Sequence, residues 1–147
     1  MSKREQVLSA LETLIKAIAD GDPDIGFERN PVKEGDVPNK GLIEMFDGEA
    51  GDPEIILSPP HYTYDHGVQF HLVFAGSDHD ARMAGIETLI DLFRIQVESD
   101  PDLGGLLEEE LEPEMPEVEH PEITGGVTDS IAVFKLFCMY STDNPLK

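Results

Sequence analysis

Tryptophan is absent from this chain of 147 residues and cysteine occurs once, at Cys138. A lone cysteine excludes an intrachain disulfide framework, and the chain reads as one that matures in a reducing compartment. Cations are scarce: 10 Lys and Arg against 31 Asp and Glu leave a formal net charge of -21. That balance disfavours nonspecific attraction to nucleic-acid phosphates or anionic lipid and favours basic partners. No apolar run approaches the roughly 20 residues needed to span a bilayer, so no membrane partner is expected. The opening MSKREQVLSALETLIK does not read as a signal peptide, because Glu5, Glu12 and Lys16 interrupt its apolar run and no small-residue cleavage site follows. The expected location is the cytoplasm, or something assembled there. A glycine-rich phosphate loop is missing too: Gly104-Gly105 and Gly125-Gly126 are isolated pairs without the following Lys-Ser or Lys-Thr.

What is present is a clear hydrophobic pattern, on a length that suits a single domain, 1–147. Val7, Leu8, Leu11, Leu14, Ile15 and Ile18 recur at helical spacing, with Ser2 and Glu5 as a capping box and Gly21 placed to end the helix in a left-handed conformation. DIGFERNP predicts a short strand broken at Pro31, and LIEMFDGE a strand followed by an Asp47-Gly48 turn. EIILSPP is a further apolar run ended by prolines. After the Tyr62-Tyr64 pair, GVQFHLVFAG alternates Val68, Phe70, Leu72 and Phe74 against Gln69, His71 and Val73, as a half-buried strand does. Met83, Ile86, Leu89, Ile90, Phe93 and Val97 then mark a second helix capped by Ser77 or Asp78. The last strand, GGVTDSIAVFKLFCMYST, is apolar on both faces, which predicts a central strand or one whose outer face meets another subunit. The order indicates an α+β fold: a mostly antiparallel or mixed β-sheet, two α-helices packed on one face, and a long acidic loop before the last strand. No internal repeat is present.

That acidic stretch is the most unusual part of the chain. No Lys or Arg occurs between Arg94 and Lys135, and Glu98 to Glu122 holds eleven of the 31 acids. Like charges repel, and Pro113, Pro116 and Pro121 each remove a backbone donor, so the segment is not expected to fold on itself. Two readings stay open for residues 106–122: a long solvated loop, or an arm that a partner orders.

Catalytic chemistry finds little support. His66 and His71 are separated by an odd number of positions, so a regular strand sends them to opposite faces and denies them a shared metal ion. Asp20, Asp22 and Asp24 imitate the start of a calcium loop, but Ile25 and Pro31 stand where glycine and a bidentate Glu belong, which leaves an Asp-rich turn. Cys138, within AVFKLFCMY, reads as a buried structural thiol. No enzymatic activity, cofactor or metal is expected.

Taken in order, REQVLSALETLI, FERNP, FDGE, the tyrosine-led strand, IQVESDPDLGG and the closing VFKLFCMYST resemble tail terminator, or tail completion, proteins of long-tailed phages and gene transfer agents. The most specific pieces are Arg29-Asn30, Asp47-Gly48-Glu49, Asp102-Leu103-Gly104-Gly105 and the last strand. The resemblance implies an α+β structural protein of the virion, at the head-proximal end of the tail and assembled in the host bacterial cytoplasm. Its members form a hexameric, homo-oligomeric ring that caps the tail tube protein, ends tube polymerisation and joins the head-tail connector, while DNA passes through without specific binding. The candidate assembly interface is Arg29, Asn30, Asp47 and Glu49 with Leu106, Leu107, Leu111, Met115 and Val118 of the arm. The length and acidity of that arm depart from the family pattern. Alternatives from other classes are an acidic DNA mimic that inhibits a nucleic-acid-binding protein, and a small enzyme.

Overall fold

Ser2 caps α1 (Lys3–Asp20) by accepting a hydrogen bond from the Glu5 amide at 3.1 Å, and the helix turns Val7, Leu8, Leu11, Ile15 and Ile18 inward. In the computed structural model, residues 1–32, 36–120 and 128–147 are described. The capping box is half realised: Glu5 accepts from the Ser9 hydroxyl at 2.9 Å instead of reaching back to Ser2. Gly21 is right-handed (φ -86°), not left-handed as its position suggests, because its amide still reaches the Ala17 carbonyl and the helix tapers rather than reverses.

Strands follow as β1 (Gly26–Arg29), β2 (Leu42–Phe46), β3 (Glu54–Leu57) and β4 (Pro60–Gly76); then come α2 (His79–Ser99), β5 (Glu112–Pro113), β6 (Glu117–Glu119) and β7 (Thr128–Thr142). They form one mixed sheet in the order β1-β2-β4-β7-β5, with β3 also beside β4 and β6 beside β7. Among the described residues, β1 with β2 is the parallel pair and the other pairings are antiparallel. The chain is thus α+β, with its helices packed against the sheet. β4 begins seven residues before the alternating run at Gly67 suggests, so Tyr62 and Tyr64 lie inside the strand rather than before it. The extension is held from both sides, by β3 and by the end of β7.

Alternation assigns the faces. His66, Val68, Phe70 and Leu72 of β4, with Ala132, Phe134, Leu136, Cys138 and Tyr140 of β7, are buried beneath the two helices. Phe93 of α2 meets Phe70 and Phe134 edge-on at centroid distances of 4.9 and 5.0 Å, which locks the helix onto the central strand pair. The periodicity of α2 omits one member of its inner face: Arg82 is buried, donating from Nε to Ser130 Oγ at 3.0 Å and from Nη1 to the Gly76 carbonyl at 2.7 Å.

The acidic segment does fold onto the rest of the chain, against expectation. After α2, Leu103, Gly104 and Gly105 take positive φ (52°, 67° and 90°) and reverse the chain, with the Asp100 carboxylate accepting the Gly104 amide at 2.9 Å. Leu103, Leu107 and Leu111 then enter the core at four-residue intervals. The amides of Glu108, Leu111 and Glu114 donate to the carbonyls of Met139, Pro101 and Lys135, and β5 and β6 pair with the open edge of β7. Like charge loses here because the carboxylates point to solvent while the leucines go inside. The two final residues of the 106–122 arm, the Gly125-Gly126 pair and Val127 ahead of the last strand, and residues 33–35 of the polar loop after β1 lie outside the described residues.

Gly85 of α2 leaves no room for a side chain, since an added Cβ would lie 2.4 Å from the Cδ2 and Cε2 ring atoms of Phe74. Gly85→Ala should gain ~1 kcal/mol of helix propensity and lose ~1–3 kcal/mol to overpacking. The expected outcome is net destabilisation of about 1 kcal/mol by urea denaturation, in the opposite direction to a Gly→Ala change at an open helix site.

Candidate functional site

The parallel register that sets Arg29 beside Met45 brings the end of β1 next to Asp47, the first residue after β2. The guanidinium grips that carboxylate with two bonds of 2.8 Å, from Nε to Oδ1 and from Nη2 to Oδ2. Glu5 and Glu12, seven residues apart and so on one side of α1, approach the same guanidinium at 3.4 and 3.3 Å. Arg29 and Asp47 are largely shielded, with side chains 18% and 16% exposed. The Asp47 hydrogen bonds strengthen the charged form of Arg29, and Arg29 in turn holds Asp47 below the ordinary carboxylate range. Glu5 is also lowered, first by the Ser9 hydroxyl and then by Arg29. Asn30, at φ 50°, completes the joint: its side-chain oxygen accepts the Asp47 amide at 2.9 Å and its own amide donates to the Met45 carbonyl at 2.7 Å. Three of the four residues drawn from the two central motifs therefore meet in one tie between α1, β1 and β2, and Glu49 stays exposed beside it.

His66 lies directly beneath this tie, fully buried. Its Nε2 is 2.6 Å from the Asp47 carbonyl and its Nδ1 is 2.9 Å from the Tyr140 hydroxyl. A carbonyl can only accept, so Nε2 carries the proton and Tyr140 donates to Nδ1. Burial lowers the His66 pKa from 6.5 and raises that of Tyr140 to about 12. A neutral imidazole with both nitrogens engaged is a structural bridge, not a poised base. His71 faces the other side of β4, 2.8 Å from the Gln69 side-chain nitrogen and 3.9 Å from Glu44. Asp22 accepts the Asp24 amide and pairs with Lys40, as an Asp-rich turn should. Cys138 is buried, and burial pushes its thiol up to about 12.

The arm residues divide. Leu107 and Leu111, expected at an assembly interface, are 8% and 7% exposed and lie in the chain's own core, where the fold of the single chain already covers them. Leu106 and Val118 are partly buried against the same core. Met115, at 89% exposed, is available at the surface.

Two apolar features escape the motif reading. Ile55, Ile56 and Leu57 on the β3–β4 hairpin are 49%, 57% and 79% exposed. Beside β5, a cavity of about 340 Å³ opens between α2 and the returning arm, walled by Ile90, Phe93, Val97, Leu111, Pro113 and Phe134. The hairpin had a signal in the sequence: residues 55–64, IILSPPHYTY, contain no Asp, Glu, Lys or Arg. The cavity had none, since it depends on where the arm turns back. No protein-family model matches this chain, and no curated protein matches it.

Arg29→Met should leave three carboxylates facing one another. Breaking a fully buried ion pair costs ~3–5 kcal/mol and an exposed one ~0–1, so at this shielding a loss of about 2–3 kcal/mol is expected by denaturant titration. Arg29→Lys should recover only part of it, because an ammonium cannot make the two-pronged contact. For His66 the folded pKa lies below the unfolded value of 6.5, so its contribution is full above that pH and is lost as pH falls below it. The stability advantage of wild type over His66→Gln should therefore shrink between about pH 7.5 and about pH 5.5 in urea titrations; an advantage independent of pH would contradict a buried neutral imidazole.

Proposed function

We propose that this chain is a virion structural protein, a tail terminator that forms a hexameric ring on the end of the tail tube, stops its polymerisation and offers the head connector a docking surface. The observation that carries this reading is the ordered run of motifs from REQVLSALETLI to VFKLFCMYST, which covers nearly the whole chain. Support also comes from how those motifs are used. Arg29, Asn30 and Asp47 are engaged in one tie between elements, and Asp102-Leu103-Gly104-Gly105 forms the reversal that returns the arm to the sheet, as suits residues that hold a subunit in shape. An apolar hairpin on a surface this acidic is a feature expected of a protein that functions assembled. The partners are further copies of the chain, the tube protein and the connector. The charge of -21 suits a ring through which DNA passes, since carboxylates facing the lumen would repel the phosphate backbone.

Particle composition tests the proposal. Mass spectrometry of purified particles should find the protein in a few copies per tail, and loss of its gene should yield tubes of unregulated length. Its absence from purified particles, with normal tails formed without it, would overturn the proposal. Binding to a basic nucleic-acid enzyme in the same preparation would favour the DNA-mimic alternative.

A further inference from the structure

The β3–β4 hairpin and the cavity beside β5 lie at opposite sides of the sheet. β3 adds to β4 on the flank that β2 occupies further along, whereas β5 borders β7 on its far flank. Strand alternation sets the hairpin faces. Ile55 pairs with Tyr62 and Leu57 with Pro60, in phase with Tyr64 and His66, so these side chains continue the core-facing side of the sheet beyond the helices. Glu54, paired with Thr63, falls on the other face. The hairpin is thus an apolar projection that its own helical layer leaves uncovered, Leu57 at 79% exposed foremost.

We infer that the hairpin of one copy seats Leu57 and Ile55 in the cavity between α2 and the arm of a neighbouring copy. The occupant must be another copy for two reasons. A projection and a receptacle on opposite flanks cannot satisfy each other within a subunit, but between copies they make a head-to-tail contact, the kind that closes rings. Charge narrows the approach: two molecules at -21 repel over most of their surfaces, and residues 55–64 are an uncharged run long enough to form a contact. The cavity rim carries Glu98, Glu110 and Glu114 beside Arg94, and the hairpin face that meets it brings no carboxylate. The inference deepens the ring proposal and rests on it for the number of copies in the closed assembly, although the contact itself stands on the two surfaces.

The test uses the full chain. Sedimentation velocity over a concentration series, at moderate salt to screen the repulsion, should show self-association of wild type that Leu57→Asp weakens about tenfold or more. Leu57 is exposed, so the variant should keep wild-type thermal stability, which separates loss of contact from loss of fold. A double variant carrying Leu57→Cys and Glu110→Cys should give, on oxidation, a disulfide ladder that stops at the ring size, while mixing the two single variants should give only a crosslinked pair. Assembly by Leu57→Asp equal to wild type, or no crosslink between positions 57 and 110 in an assembled sample of the double variant, would overturn the hairpin contact and leave the ring proposal standing. A solution ladder from a protein absent from purified particles would do the reverse, supporting the contact and overturning the tail-terminator function.

Discussion

Fifteen consecutive residue pairs, from Tyr62 with Thr142 to Gly76 with Thr128, join β4 to β7, and most of the molecule is attached to that ladder. β2 and β3 line one side of β4, and the returned arm lines the far side of β7. Both helices cover the face on which the ladder turns its large apolar side chains inward. The pairing is entirely non-local, so the entropy of closing the intervening chain opposes it. α2 shortens that closure by carrying the chain back along β4, and the turn at Leu103 to Gly105 redirects it to β7. The acidic arm is therefore part of how the ladder is closed, not an insertion tolerated beside it.

The second constraint is charge, and it acts mainly by deciding where side chains cannot go. Exposed carboxylates about 4 Å apart repel by only ~1 kcal/mol in water and less in salt. Each buried leucine contributes ~1.5–3 kcal/mol. Leu103, Leu107 and Leu111 together thus outweigh the repulsion among the glutamates between and after them, provided those glutamates remain hydrated, which they do. Two of the few cations each meet more than one acceptor. Arg29 answers three carboxylates at once, and Arg82 is buried against Ser130 and the Gly76 carbonyl, where it ties the start of α2 to both long strands.

Periodicity made α1, α2, the core of β4 and the inner face of β7 legible, because each is an amphipathic element whose burial follows from its own sequence. The arm folds against the expectation drawn from the count of its acids and prolines, and the signal for it is the recurrence of Leu103, Leu107 and Leu111 every four residues. The count describes the exposed side; the spacing describes the buried side, and burial decides the fold. The tie at Arg29 could be named but not understood, because Asp47 comes near only through the parallel register of β1 and β2. The odd spacing from His71 placed His66 on the opposite face, yet its burial depends on Tyr140 and on the carbonyl of Asp47, neither of them local. The cavity beside β5 exists only because the arm returns.

Within the one chain, these elements separate two kinds of surface that an acidic protein has difficulty combining. Internal ties are polar and shielded: Arg29 with Asp47, His66 with Tyr140, Arg82 with Ser130. Their energy depends on exclusion of water, so they sit where the helices and the sheet already cover them. The exposed hairpin is the opposite, apolar and without a charged residue from Ile55 to Tyr64, and its side chains remain at the surface. A surface dominated by one sign of charge makes that arrangement selective. Repulsion raises the energy of most encounters between copies, so a short uncharged patch need not be strongly attractive to set the orientation; it has only to be the place where approach costs least. The charge that, by composition alone, argues against a folded arm therefore also narrows how two such chains can meet.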